Sequence, residues 1–382
     1  MASYTRLPSG WRYRISYKVN GQYKIKSKNG FSTKREAQLA ANEEERKLNQ
    51  GYDFERAENF FPDAFEEWFN VYRKGKNSRD NDNDIRRAVN LAKANFSGVK
   101  IKEMNRDDYQ RALNTFGENH ATPTVKKYHT YMRMFIKECI QEGVIFRDPT
   151  WKVIIKGKVK SKDEELKYLN YSEAHKLIIA LENNLSFKHM SKYIILFALA
   201  TGCHFSEIIG LTWDSIDFTN QTVKIDKVWD YKYTNDFNET KTPASKRTIT
   251  IDEGTTKMLK RIKKEQQEFF LKAGLISQYE KLRNVFVNHR LKMVSNNAVN
   301  KCLKHYCKKL GIREITCHSL RHTHASILLY EGVNVKYISR RLGHSDITIT
   351  LKVYSHIIDE LKQRESKHVN DIMNRIRVPN AK

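Results

Sequence analysis

The feature that most constrains the fold is a change of hydrophobic period near residue 55. In "WRYRISYKV", Trp11, Tyr13, Ile15, Tyr17 and Val19 alternate with Arg12, Arg14 and Lys18. Alternation puts the two sets on opposite faces of a strand. Asn20-Gly21 follows, a dipeptide that tolerates the positive φ of a two-residue hairpin. "QYKIKSK" is the return strand, with Lys24, Lys26 and Lys28 on one face. Thr33-Lys34-Arg35-Glu36 has the form of a capping box and opens a helix to about Asn49. After a polar linker, residues 51–59, the period becomes helical. Phe61, Phe65, Trp68, Phe69 and Tyr72 form one stripe. "DIRRAVNLAKANF", "NRDDYQRALNTF" and "TPTVKKYHTYMRMFIKECIQEGVI" give three more helices, the last capped by Thr122 or Thr124 and ended at Gly143. A small basic sheet backed by a helix, then a four-helix module, is the expected start.

A basic stretch, residues 147–168, has no helical stripe and reads as a linker. From Asn170 the chain is mainly helical again. "SEAHKLIIALEN" starts a helix, and "HMSKYIILFALATG" is an apolar helix ended by Gly202. "QTVKIDKVWDYKY" and "RTITI" read as strands separated by a charged loop that carries Lys241. Further helices are predicted over 253–273, 296–309, 318–330 and 335–342. The final segment is an amphipathic tail whose apolar face holds Ile357, Ile358, Leu361, Val369, Ile372 and Met373. There are no internal repeats, and 382 residues suggest two or three domains.

The charge narrows the class of partner. Lys and Arg number 69 against 44 Asp and Glu, a net charge of +25. Residues 1–35 hold nine basic residues and no acid. In a chain this rich in aromatics, such an excess points to nucleic acid. No run approaches the roughly 18 apolar residues of a membrane span, and "MASYTRLPSGWRYRISY" lacks the apolar stretch of a secretory signal. The five cysteines include no CxxC pair, which fits a reduced, cytosolic protein without a disulfide framework.

The densest chemistry lies in "TCHSLRHTHA", residues 316–325. His318 and His322 are four apart and could share a metal; His318 and Arg321 are three apart and could share a phosphate. The zinc reading lacks the Glu of an H-E-x-x-H helix and a nearby third carboxylate ligand, and Arg321 would repel a divalent cation. The downstream residues are spaced like further parts of a site. "LGH" ends a helix at Gly343 and sets His344 in a bend, and Tyr354 comes ten residues later.

H-x-x-R, then L-G-H, then Tyr, in this order and spacing, resembles the tyrosine recombinase (phage integrase) family. "ATGCHFSEIIGLTWDSID" is similar to that family's first catalytic box, "TKTPASKRTITI" to its catalytic-lysine hairpin, and "KYLNYSEAHKLI" to the start of its catalytic domain. The N-terminal sheet resembles the arm-type DNA-binding domain of phage and mobile-element integrases, and the helical module their core-binding domain. The resemblance implies a multidomain, mainly α chain with small β-sheets. A three-stranded-sheet-plus-helix arm domain would span 1–55, a four-helix SAM-like core-binding domain 58–157, and an α+β catalytic domain with a C-terminal exchange tail 165–382.

The resemblance also implies the chemistry. A tyrosine hydroxyl attacks a DNA phosphodiester, leaving a 3′-phosphotyrosine and a free 5′-hydroxyl. No cofactor or metal is needed, because guanidinium groups stabilise the phosphoryl oxygens. Tyr354 would be the nucleophile and Arg321 the phosphate clamp. His318 would assist proton transfer, His344 would hydrogen-bond the phosphate, and Lys241, or less favourably Lys246, would be the general acid. His322 and His324 would support the site from within the helix. Arg12, Arg14, Lys18, Lys24, Lys26 and Lys28 would contact arm-site DNA. The implied partners are double-stranded DNA at core and arm sites, three further copies in a homotetramer, an excisionase and a host DNA-bending protein, with no membrane. The implied location is the cytoplasm of a bacterial host, at the nucleoid.

One position departs from the family pattern. His204 stands in "GCHFSE" where the first box carries an arginine. Histidine is shorter and cannot form the bidentate fork. Two readings stay open: a form inactivated to trap DNA, or a natural variant with slow or altered catalysis. Two rivals also stand: a non-catalytic DNA-binding protein on the same fold, and a type IB topoisomerase, against which the N-terminal sheet argues.

Overall fold

The computed structural model describes residues 2–19, 21–160, 168–240, 242–354, 369 and 373. The chain divides into two compact units, Met1–Ser161 and Lys162–Lys382.

The first unit opens with β1 (Ser3–Leu7), β2 (Gly10–Val19) and β3 (Gln22–Phe31), an antiparallel sheet in the order β1-β2-β3. Helix α1 (Lys34–Asn49) covers one face. Its start is as expected: Thr33 accepts from the Glu36 N–H, while the Glu36 carboxylate reaches back to the Ser32 N–H. Tyr13 and Ile15 are buried against Ala41, as the alternation requires. The six basic residues expected to contact arm-site DNA divide between the two faces of the sheet. Lys24, Lys26 and Lys28 lie opposite Tyr17, Ile15 and Tyr13, so they share the helix-covered face. Lys24 pairs with Glu55 and Lys26 with Glu44. Only Arg12, Arg14 and Lys18 of the six point to the other face, where Tyr23 and Ile25 are exposed.

The helical module follows: α2 (Phe54–Ala57), α3 (Phe61–Trp68), α4 (Arg79–Asn95), α5 (Arg106–Glu118) and α6 (Thr122–Gln141). The predicted stripe packs Phe61, Phe65 and Trp68 against Phe135 of α6. Helix α6 starts without a side-chain cap at Ala121, not with a Thr122 or Thr124 cap. The Thr122 hydroxyl instead accepts from the Gly157 N–H at 3.0 Å. That bond belongs to a strap. Extended backbone past residue 149 also exchanges bonds with Gln110, at Ile154, so the basic stretch is partly held rather than a free linker.

The second unit contains α7 (Tyr171–Glu182), α8 (Met190–Thr201) and α9 (Phe205–Ile209), then β4 (Ile216–Asp217), β5 (Thr222–Ile225), β6 (Lys227–Asp230), β7 (Asp236–Glu239) and β8 (Arg247–Thr250). Strands β4, β5 and β8 form one antiparallel sheet, and β6 and β7 a two-stranded hairpin. The polar segment "DFNE" carries no strand pattern; Phe237 against Trp229 at 4.9 Å holds it in place. Helices α10 (Glu253–Lys272), α11 (Ile276–Leu282), α12 (Asn296–Lys309), α13 (Cys317–Tyr330), α14 (Val335–Leu342) and α15 (Ile347–Val353) complete the described elements. Helix α13 is central: Leu320, Thr323 and Ala325 are fully enclosed, and it packs on α8, α12 and α14. Among the described residues no helix is long and apolar enough to cross a membrane.

Candidate active site

The site is built where two helix C-termini meet α13. Helix α8 ends at Gly202, φ +69°, and a Cβ there would lie 2.7 Å from the His324 ring and 2.8 Å from Leu342. Only glycine allows both the left-handed turn and that approach. Helix α14 ends at Gly343, φ +78°, with Gly343 N–H bonded to Arg340 O and His344 N–H to Ser339 O. This paired closure holds His344 in a fixed bend.

Terminal carbonyls carry the negative end of a helix dipole and need donors. Arg321 supplies them to both ends. It donates to Gly202 O at 2.8 Å and to Leu342 O at 2.7 Å, and is only 4% exposed. Burial lowers its pKa and Glu207 opposes the shift, but a guanidinium stays charged. Two of its five N–H groups are thus spent on orientation, leaving others for a ligand. Arg341 and His324 brace the same helix end. Arg341 donates to Ala200 O and Thr250 O, and through Nε to His324 Nε2, while His324 Nδ1 bonds Leu199 O.

A line of rings runs beside Arg321. His204 stacks on His318 with centroids 5.7 Å apart, and His318 meets His322 edge-on at 5.0 Å. His322 Nδ1 hydrogen-bonds the Tyr354 hydroxyl at 3.1 Å. Tyr354 is 2% exposed, packed with Ala325, Leu329, Ile338 and Leu342. Burial pushes its phenol pKa up, with Arg321 pulling the other way. His344 joins the group through Thr350: its Nδ1 meets the Thr350 hydroxyl at 2.7 Å, and Thr350 O accepts the Tyr354 N–H.

The structure therefore brings together His204, His318, Arg321, His344 and Tyr354. Lys241 lies outside the described residues; Lys246 forms an exposed 3.8 Å pair with Glu239. The tail positions Ile357, Ile358, Leu361 and Ile372 also lie outside them. Besides Arg341, three residues had no expected role. Glu207 and Arg247 form a buried bidentate pair at 2.9 and 3.0 Å, and Glu207 also accepts the His204 N–H. Burial pulls the Glu207 carboxyl up, but the Arg247 guanidinium outweighs it and holds the pKa below the usual range. A signal existed: Arg247 and Ile249 share a face of β8, and a basic residue on a buried strand face needs a partner. Thr350 carried no signal.

The pKa values of His204, His318 and His344 are all lowered. His204 is open to solvent on one side, yet the surrounding protein and Arg321 push its pKa well below the ordinary value. Burial and Arg321 lower that of His318, and burial with Arg321, Arg247 and His322 takes His344 down to about 4. Since Glu207 balances Arg247, Arg321 is the permanent charge among these residues that lacks a carboxylate of its own. Such a pocket can bind and polarise a phosphate, and it presents a phenol beside an imidazole.

Residues 167–360 match the phage integrase family model. The chain belongs to the phage integrase family. Residues 5–48 match an arm DNA-binding domain, which coincides with the N-terminal sheet and most of α1. Among relatives, a tyrosine recombinase XerC-like protein of Caldanaerobacter subterraneus is 28% identical over 72% of this chain and 73% of that protein. The integrase of Staphylococcus phage L54a is 25% identical over 85% of this chain and 97% of its own length. Two solved integrases share the fold. The Tn1549 transposon integrase, determined with transposon right-end DNA, aligns with TM-score 0.67 and 16% identity over 82% of this chain and 100% of that one. The lambda integrase dimer bound to a COC′ core site aligns with TM-score 0.57 and 14% identity over 92% and 93%. The family's enzymes are DNA strand transferases acting through tyrosine, and all the site residues described above fall within the matched span.

Proposed function

We propose that this integrase cuts and rejoins DNA through a 3′-phosphotyrosine at Tyr354, integrating or excising a phage or mobile element. The observation that carries the reading is that the Tyr354 hydroxyl, Arg321 and the histidines share one pocket although they come from four separate elements. Arg321 holds the scissile phosphate with the N–H groups its two carbonyls leave over, and stabilises charge on the phosphoryl oxygens. His318 and His344 hydrogen-bond the phosphate, and Lys241 protonates the leaving 5′-oxygen. The outward face of the N-terminal sheet, with Arg12, Arg14 and Lys18, binds arm-type DNA, and the helical module and second unit bind the core site. Four copies act together, with an excisionase and a host DNA-bending protein as helpers, at the nucleoid of a bacterial host.

A slow or silent enzyme is the second reading, and His204 carries it. Its neutral ring leaves the phosphate one guanidinium where the family pattern has two. DNA binding survives in either case.

A nicked suicide substrate tests the function. The 5′-fragment escapes, so a covalent protein–DNA adduct accumulates, and it is absent in Tyr354→Phe. An adduct that persists in Tyr354→Phe overturns the nucleophile assignment. DNA binding without adduct, in this chain and in His204→Arg alike, overturns the catalytic reading.

A further inference from the structure

We infer that His322 is a catalytic residue, the base that takes the proton from the Tyr354 hydroxyl. The inference rests on the reading of Tyr354 as nucleophile. A phenol attacks phosphorus poorly until its proton leaves, and a base must sit within about 2.6–3.2 Å of the oxygen. His322 Nδ1 lies 3.1 Å from it, and among the described residues it is the hydrogen-bond partner of that hydroxyl. Two other histidines have ring nitrogens committed elsewhere. His324 spends Nδ1 on Leu199 O and Nε2 on Arg341. His344 spends Nδ1 on the Thr350 hydroxyl. His318 stands one helical turn away and meets the His322 ring edge-on at 5.0 Å.

The surroundings suit the transfer. His318 faces His322 from its own helix, His344 approaches from the end of α14, and Tyr354 from the end of α15. When Nδ1 accepts from a hydroxyl, the neutral ring carries its hydrogen on Nε2. In the forward step the Tyr354 oxygen–phosphorus bond forms and the phosphorus–5′-oxygen bond breaks. The tyrosine proton moves to His322 Nδ1, and the leaving 5′-oxygen keeps the bonding electron pair and takes a proton from the general acid, Lys241. In the reverse step a 5′-hydroxyl attacks phosphorus and gives its proton to the neutral Lys241 amine, the phosphorus–Tyr354 oxygen bond breaks, and the imidazolium returns its proton to Tyr354.

The test compares two suicide substrates, one with the ordinary 5′-oxygen and one with a bridging 5′-sulfur, whose thiolate leaves without a proton. Single-turnover adduct formation is measured for this chain and for His204→Arg, each with His322→Ala or His322→Gln. Glutamine keeps a hydrogen-bond acceptor for the tyrosine but is no base. Both variants should lose about 10²-fold in rate on both substrates, whereas a Lys241→Ala loss should be rescued by sulfur. An unchanged rate overturns the inference, and so does a loss that sulfur rescues, which would place His322 on the leaving-group side. Adduct in Tyr354→Phe would instead sink the nucleophile reading.

Should none of these chains form adduct while DNA binding is intact, the inference falls together with the catalytic reading on which it rests.

Discussion

Arg247 and Glu207 face each other in a two-point ion pair, at 2.9 and 3.0 Å, with 7% and 4% of their side chains exposed. The pair also holds the His204 N–H through Glu207 and the end of α14 through Arg247, which donates to Arg341 O at 2.6 Å. Removing one partner strands the other charge in the interior. Glu207→Gln should lower unfolding stability by about 3–5 kcal/mol, read by denaturant titration. The double change Glu207→Leu with Arg247→Met should cost less than the sum of the single changes.

Position 204 sets the strength of the phosphate site. His204→Arg places a permanent cation opposite Arg321 and should raise adduct formation on the suicide substrate by roughly 10²–10³-fold. DNA affinity should change far less. An equal gain in affinity and rate would show that the new arginine binds DNA without favouring the transition state.

Gly202 cannot carry a side chain. Gly202→Ala forces a left-handed backbone and a Cβ within 2.8 Å of both His324 and Leu342. The left-handed turn alone should cost about 1–2 kcal/mol. Because Gly202 O orients Arg321, phosphate-dependent activity should fall further than the stability loss explains.

Buried histidines make the fold acid-sensitive. His324 and His344 are both held at about 4, by burial first and then by neighbouring arginines. An unfolded imidazole titrates near 6.5, so between about pH 6.5 and 4 the unfolded chain binds more protons. The stability these residues contribute is complete above 6.5 and drains as pH falls through that window. His324→Gln should flatten the slope of stability against pH, measured as Tm from pH 7 to 4.5.

The N-terminal sheet offers a contrast between its two faces. Arg14→Ala and Lys18→Ala on the open face should each reduce the slope of log affinity against log salt by about 0.9 on arm-type DNA. Lys24→Ala and Lys26→Ala remove charges already paired with Glu55 and Glu44 and should leave that slope unchanged.

The periodic parts of the molecule could be read from residues alone. Alternation over Trp11–Val19 decides a strand because its side chains strictly change sides, and the Phe61–Trp68 stripe decides a helix because only 3.6-residue spacing gathers it on one face. Gly202 and Gly343 marked helix ends because a left-handed residue is needed there. The spacing of His318, Arg321, His344 and Tyr354 pointed to one phosphate site, since each stands at a helix face or end whose geometry is local. Tertiary structure decided the rest, because it turns on groups distant in the chain. Lys24 and Lys26 became structural only when α1 and Phe54–Ala57 brought Glu44 and Glu55 to them. Arg247 found Glu207 across 40 positions, and Arg321 found carbonyls on two other helices. In the sequence His322 read only as support for the site from within its helix; the return of the chain through α15 puts the Tyr354 hydroxyl on its ring nitrogen, and no local pattern encodes that meeting.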